Sequence, residues 1–525
     1  MMRKFLGSAL AACMLLSWSG SASTQELTVA TPNDPSVDPH YLYLSTNAAY
    51  ARHIFGKLVD RDENARIKPG LAVSWANVDD LTWEFKLREG VKFHDGSDFD
   101  ADDVIFSVNR IPNVPNNPAS YVSNTNMIDT ITATDPYSIV IKTKDPYPLL
   151  LRRISGVSIV SSEAVEGGTT ADFSSGKIAV GTGPYKFSEY IPGDRYVLAR
   201  NEDYWGDKPA YEKVTFRIMP DAASRVAALL GGDVDIVEGF SPSSVETLEQ
   251  RDGFYVAKRA SARTLWLYID TSNDASPFVT DSDGNPMDVN PLKDVRVRQA
   301  LAMAIDRAAI VERIMGGLAE EANQLVPMGW FSHNPDIENP PLDAEGAKAL
   351  LAEAGYPDGF GLTVHAPNDR YVNDGKIAQA VAQMLARIGI DAKVETMPKS
   401  VYFGRLNKQE FSLSMIGWDN SLTGSSLMSL SAAFHTREPD RGYGGWNAGG
   451  YSNAMFDSAI ESAEQEFDMT RHEELLNEAM HILIQEDRAA IPLHSQFTIL
   501  GVRDGVDYTP RVDEHFSAML AAPAG

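Results

Sequence analysis

The sequence predicts an α/β protein of at least two packed lobes, and three observations carry that expectation. The chain has 525 residues, more than one hydrophobic core organises. Short strand-like runs alternate with helical ones along its length, the pattern of α/β or α+β architectures. Residues 273–291 (NDASPFVTDSDGNPMDVNP) hold three prolines, a glycine and many small polar residues, and read as a boundary between lobes.

Taken in order, residues 27–30 (LTVA) read as a first strand. Residues 81–87 (LTWEFKL) alternate apolar and polar with period two, as a half-buried strand does. Residues 138–142 (SIVIK) and 211–218 (YEKVTFRI) share that pattern. Over 296–315, Val297, Leu301, Ile305, Ile310 and Ile314 fall close to helical spacing, and Gly316 and Gly317 stop the helix. Amphipathic helices are expected at 377–388, 454–466 and 472–485. Clusters of Pro, Asn and Gly mark loops at 111–118, 273–291 and 334–341. No tandem repeat or low-complexity tract is visible.

Residues 1–22 have the layout of a secretory signal. Arg3 and Lys4 supply the positive start, residues 5–18 an apolar stretch, and Gly20, Ser21 and Ala22 small residues for cleavage after Ala22. The stretch is short of the roughly 20 apolar residues of a spanning helix. Residues 10–13 (LAAC) have the residue types of a lipoprotein signal, but the residues after Cys13 stay apolar, which favours ordinary cleavage. Cys13 is the only cysteine, so cleavage leaves a chain with no disulfide, no thiolate nucleophile and no cysteine-ligated metal. No later apolar run has spanning length, and a soluble periplasmic protein is expected.

Charge narrows the partners. Against 46 Lys+Arg stand 72 Asp+Glu, a formal net charge of −26 with no basic run, which disfavours nucleic acid and anionic membrane. Catalytic signatures are poor. Ser174 and Lys177 fit a serine–lysine spacing without its companion motifs, and no G-x-S-x-G, H-E-x-x-H or phosphate-binding loop is present. Asp281, Asp283 and Gly284 suit a turn better than a calcium loop. An exported hydrolase remains the alternative from another class, since the many carboxylates allow acid–base pairs that spacing does not single out.

Residues 68–110 read KPGLAVSWANVDDLTWEFKLREGVKFHDGSDFDADDVIFSVNR. Further segments follow in order: GTGPY at 181–185, NEDYW at 201–205, GGDVDI at 231–236, VRQALAMAIDR at 297–307, AKALLAEAGYP at 347–357, YSNAMFD at 451–457 and IPLH at 491–494. Together they resemble the extracellular solute-binding proteins of the dipeptide, oligopeptide and nickel class (family 5), which serve ATP-driven (ABC) importers. The resemblance implies a two-lobe periplasmic-binding-protein fold of the peptide-binding class, with an extra subdomain inserted in the first lobe. Mapped here, the first lobe takes 23–65, 176–270 and 481–525, the inserted subdomain 66–175, and the second lobe 271–480. In the hallmark block, Trp75, Trp83, Phe85 and Phe93 suit packing, and His94-Asp95-Gly96 a turn with Gly96 at positive φ.

The resemblance also implies ligand anchors. Arg370, followed by Tyr371, matches an arginine that holds an anionic ligand group, a task the guanidinium fork suits; a surface arginine paired with Asp369 or Asp374 is the alternative. Peptide-binding members carry an aspartate three residues after a tryptophan. Here Trp418 is followed by Asp419 and Asn420, and Ser421 stands in the aspartate's place, which puts binding of an ordinary peptide amino terminus in doubt. Trp418 offers a flat face to a ring or chain. The glycine-dense stretch 441–453 (RGYGGWNAGGYSN) adds Trp446 and Asn447, and the region after the first strand adds Tyr43 and Asn47. The expected function is capture of a small solute by hinge closure and delivery to an importer permease. A short peptide or peptide-like compound is the leading ligand, and an opine, sugar phosphodiester or oligosaccharide the alternative. No histidine set lies near Trp418, so a metal chelate is disfavoured; neither cofactor nor metal is expected, and the protein is expected to be a monomer.

Overall fold

A computed structural model describes residues 25–525; the leader read at 1–22, with Cys13, lies outside the described residues. The strand Glu26–Thr31 turns Leu27 and Val29 to one core and Ala30 to another on its opposite face, and pairs in parallel with Lys213–Ile218 and Ile236–Glu238. Arg195–Arg200 and Tyr185–Ile191 extend this half of the sheet antiparallel. Tyr50, Ile54 and Phe55 from the helix Ser45–Ile54 and its end pack with Leu27, Tyr196 and Phe216 into one core.

A second body forms around the parallel strands Gly361–Pro367, Asp391–Met397 and Leu413–Asp419. Its helices Val295–Ala304, Ala344–Glu353 and Asp374–Ala386 turn apolar faces onto that sheet, burying Leu301, Leu351, Ile377, Val381 and Leu385 with Val364 and Met415. Two long antiparallel strands, Phe254–Ile269 and Ala490–Arg503, run through both bodies, so all belong to one twelve-stranded sheet. Their register shifts twice: residues 261–263 stand opposite Gln496 alone, with Ala260 facing Phe497 and Thr264 facing Ser495, and Leu493 is passed over between the pairs Leu265–His494 and Trp266–Pro492. Extra residues in one strand interrupt the ladder and bend it there.

Two expectations change. The stretch 273–291 does not pass between the bodies. Val279 is buried in the second core, Val279–Thr280 pairs with Leu362 and Gly361, and the Asn290 amide donates to the Asp270 and Asn273 carbonyls. Its composition signals a loop, and Val279, with Phe278 and Met287 packed against the adjoining cores, ties that loop to its own body. The helix expected over 296–315 is split: Val295–Ala304 ends at an extended Ile305, and Asp306 caps a new turn by accepting from the Ala309 N–H. Apolar spacing survives this break because both pieces face the same core. Gly316 and Gly317, both at positive φ, stop the second piece.

The inserted subdomain carries a four-stranded antiparallel sheet of Ala72–Asp79, Thr82–Leu87, Ser138–Thr143 and Ile128–Asp135. Trp83, Phe85, Phe93, Ile139 and Ile141 make its core, with Trp75 packed at the edge. The hallmark turn is joined to GTGPY through His94. Its backbone N–H donates to the Gly181 carbonyl (2.9 Å), its Nδ1 accepts from the Gly181 N–H (3.3 Å), and its Nε2 donates to the Gly183 carbonyl (3.0 Å). Burial pulls the ring down to about 4, so it is neutral at physiological pH and suits that single tautomer. A Cβ at Gly183 would lie 2.6 Å from the Ile54 carbonyl, and one at Gly181 closer still. Backbone cannot move aside as a side chain can, so Gly181→Ala should cost about 1–3 kcal/mol, read as a lowered denaturation midpoint at constant m.

Candidate functional site

A cavity of about 370 Å³ lies between the two bodies where the long strands cross. The helix Ser45–Ile54, the strand Val59–Arg61 and the segment before that helix form one wall. The other comes from the end of Leu413–Asp419 and from Arg370 and Tyr371, which follow Gly361–Pro367. Trp418 and Trp446 meet edge to face (6.0 Å between centroids), and Phe403 meets Trp446 likewise at 5.9 Å. Tyr43, Leu422 and Met428 continue this apolar side. Tyr43 is set by tilted packing on Tyr121, 4.6 Å away.

Of the ten residues singled out in the sequence, Tyr43, Arg370, Tyr371, Trp418, Asp419, Ser421 and Trp446 line this cavity. The three asparagines do not. The Asn47 amide accepts from the Ser36 N–H and donates to the Leu42 carbonyl, pinning the segment before the helix. Asn420 is fully buried and donates to the Leu325 carbonyl at 2.8 Å. Asn447 donates to the Phe434, His435 and Tyr451 carbonyls and accepts from the Tyr451 N–H, organising the glycine-dense stretch. An amide carries donors and an acceptor together, so it serves irregular backbone as readily as a ligand.

Arg370 is not spent on its local carboxylates. Asp374 accepts the Arg370 and Tyr371 backbone N–H groups, and Asp369 accepts from the Lys399 N–H. The guanidinium instead lies over the Tyr371 ring, 5.1 Å from its centroid, and the Tyr371 hydroxyl donates to the Gly417 carbonyl. A Cβ at Gly417 would come within 2.8 Å of the Tyr371 ring, so glycine there makes room for it. Burial and the neighbouring Arg263 pull Arg370 below its ordinary value. Asp419 accepts from the Ser421 N–H (2.9 Å) and Ser421 hydroxyl (3.0 Å). Burial pushes its carboxyl up to about 6 against the opposing Arg263 guanidinium, with Glu514 adding repulsion.

The sequence reading missed the cations. Arg52, Lys57, Arg61 and Arg263 join Arg370 on the lining, and among the described residues Asp419 is the only carboxylate there. Arg263 pairs with Glu514 (2.9 Å), and Arg52 with Asp60 (3.4 Å) and Asp513 (3.9 Å). The one available signal was local: residues 52–61 (RHIFGKLVDR) carry three cations, Arg52, Lys57 and Arg61, in an otherwise acidic chain. Arg61 donates to the Ser421 carbonyl (3.1 Å) and Arg153 approaches the Met428 sulfur (3.9 Å), so the two walls touch across the cavity. Among the described residues, no group of three or more His, Cys, Asp or Glu could hold a metal ion, and no helix is long and apolar enough to cross a membrane.

Residues 66–439 match the family model described as bacterial extracellular solute-binding proteins, family 5 Middle. The chain is 27% identical over 472 residues to the dipeptide-binding protein of Escherichia coli (strain K12), covering 84% of each. It is 28% identical over 468 residues to the glutathione-binding protein GsiB of the same strain, covering 86% of each. Its fold superposes with a TM-score of 0.76 on the ABC transporter-associated periplasmic binding protein DppA from Helicobacter pylori in complex with the peptide STSA. That likeness covers 95% of this chain and 98% of that one at 25% identity. The family match spans most of the chain, and with the two-lobe fold and its interlobe cavity it places this protein among the bacterial extracellular solute-binding proteins of family 5.

Proposed function

We propose that this chain captures a short, carboxylate-bearing peptide or peptide-like solute in the interlobe cavity and delivers it, outside the cytoplasm, to an ABC importer permease. The observation that carries this is Arg370, a guanidinium with no carboxylate partner among the described residues, facing a cavity walled by both bodies. Such a group gains most from a ligand carboxylate, which it can grip with two parallel hydrogen bonds. The lobes turn about 260–264 and 495–497, where the ladder of the long strands is interrupted. Closure about that point brings Arg61 to Ser421, and ligand contacts from both walls favour the closed form. The protein acts as a periplasmic monomer and as a carrier rather than a hydrolase. The names of the similar dipeptide- and glutathione-binding proteins support a peptide-like ligand.

One observation favours a second reading, a non-peptide anion such as an opine or sugar phosphodiester. Ser421 donates its hydrogen bond to Asp419, so the carboxylate left for a ligand ammonium is already engaged. Native mass spectrometry of freshly purified protein, followed by a thermal-shift screen of di- and tripeptides against opines and oligosaccharides, separates the two. Steady product release from any bound peptide would overturn the carrier reading.

A further inference from the structure

The cavity's charge balance points past Arg370. Five cations and one carboxylate line it, in a chain whose formal net charge is −26. Arg52 and Arg263 are neutralised by Asp60, Asp513 and Glu514. Among the described residues, no carboxylate comes within ion-pair distance of Lys57 or Arg61. Asp60 serves Arg52 and Lys68, and Asp513 serves Arg511, Arg52 and His515.

Both cations are nevertheless buried, Lys57 to 9% and Arg61 to 8% exposure. Among the described residues each makes one side-chain hydrogen bond, Lys57 to the Ser155 carbonyl (3.0 Å) and Arg61 to the Ser421 carbonyl (3.1 Å). An ammonium has three donors and a guanidinium five, so most remain for another partner. Burying cations without a counter-charge is costly. Burial, with Arg52 and Arg61, pulls the Lys57 ammonium down to about 7, a measure of that cost. Lys57, Arg61 and Arg52 also line an adjoining cavity of about 510 Å³, so space continues past them.

We propose that the solute carries a second anionic group, and that Lys57 and Arg61 receive it on the first-lobe wall while Arg370 holds the first. The solute is then an acidic peptide or other dianion, and this rests on the reading that the cavity takes a carboxylate-bearing ligand. The second group supplies the missing counter-charge, so binding removes the strain of two buried, unneutralised cations.

The mature protein is titrated calorimetrically with Ala-Glu-Ala and Ala-Gln-Ala, which differ by one charge at nearly constant shape. Ala-Glu-Ala should bind at least about tenfold tighter, the size of one charge-assisted hydrogen bond. Lys57→Met should collapse that ratio, and Arg61→Gln gives the same reading if Lys57→Met fails to fold. The preference should weaken as pH rises above about 7, where Lys57 loses its proton. Of the groups facing Lys57 beside Arg61, Arg52 stays charged, Asp60 and Asp513 stay ionised, and burial leaves His40 and His515 neutral. Equal affinities, or a ratio that survives both substitutions, overturn the proposal. If neither peptide binds, the peptide reading falls, and thermal shifts with glutarate and its monoamide read the second site directly. A larger shift with glutarate that Lys57→Met abolishes supports the site, and equal shifts overturn it.

Discussion

Arg370→Ala should weaken binding of the best peptide ligand by about 10- to 150-fold without lowering the melting temperature of the ligand-free protein. The first half follows from losing a charge-assisted hydrogen bond, worth about 1.5–3 kcal/mol. The second follows from the geometry. Among the described residues Arg370 has no carboxylate partner, and Asp374 and Asp369 are held by backbone N–H groups that alanine keeps. Removing the guanidinium therefore breaks no ion pair, and it relieves the burial of charge and the repulsion from Arg263 that together pull Arg370 below its ordinary value. Arg370→Lys keeps the charge but not the fork and should fall between wild type and alanine. Calorimetric titration and thermal melts of the same samples separate the effects. Unchanged affinity in Arg370→Ala removes it from the site.

Elements governed by local periodicity were legible in the sequence. The strands at Thr82–Leu87 and Ser138–Thr143 bury one face against a single core, and period two reports that directly. Helices were legible as apolar faces but not as unbroken helices. The break at Ile305 is made by Asp306 capping a new turn, which spacing along a common face does not register. For the site, Arg370 and Trp418 came through a resemblance whose motifs are contiguous. The first-wall cations did not, because Lys57 and Arg61 acquire meaning only when folding brings a stretch near residue 60 against Trp418 and Ser421. Asn47, Asn420 and Asn447 were chosen for side-chain type, and buried asparagines at irregular backbone are often fully used by that backbone.

Glu514→Ala should be the most destabilising single change at the crossing of the long strands. Glu514 comes from the C-terminal segment and accepts from Arg263 Nε (2.9 Å), the Ser261 hydroxyl (3.0 Å) and Gln496 Nε2 (2.5 Å). Those three donors sit where the register breaks, so one carboxylate ties together both strands at their weakest point. Without it, the Arg263 guanidinium, only 5% exposed, keeps its bond to the Gly417 carbonyl but loses its ion pair, a loss of about 3–5 kcal/mol. Replacing both partners, as in Arg263→Met with Glu514→Leu, should recover most of that loss, because an apolar pair needs no counter-charge. The pH dependence has a definite sign. Burial pushes Glu514 up, but Arg263 and the hydrogen-bond donors outweigh it and hold it below the ordinary glutamate value. Its contribution is therefore full above that value and is lost as pH falls through the lowered one. Wild type and Glu514→Ala should converge in acid and diverge towards neutrality. The same substitution should reach the cavity, since Glu514 helps push Asp419 up to about 6. Its removal frees Arg263 to act on Asp419, whose carboxyl should then titrate lower, a shift that carbon-detected NMR of the aspartate side chain reads. Wild-type melting together with unshifted Asp419 titration would show that the crossing is held by its backbone alone.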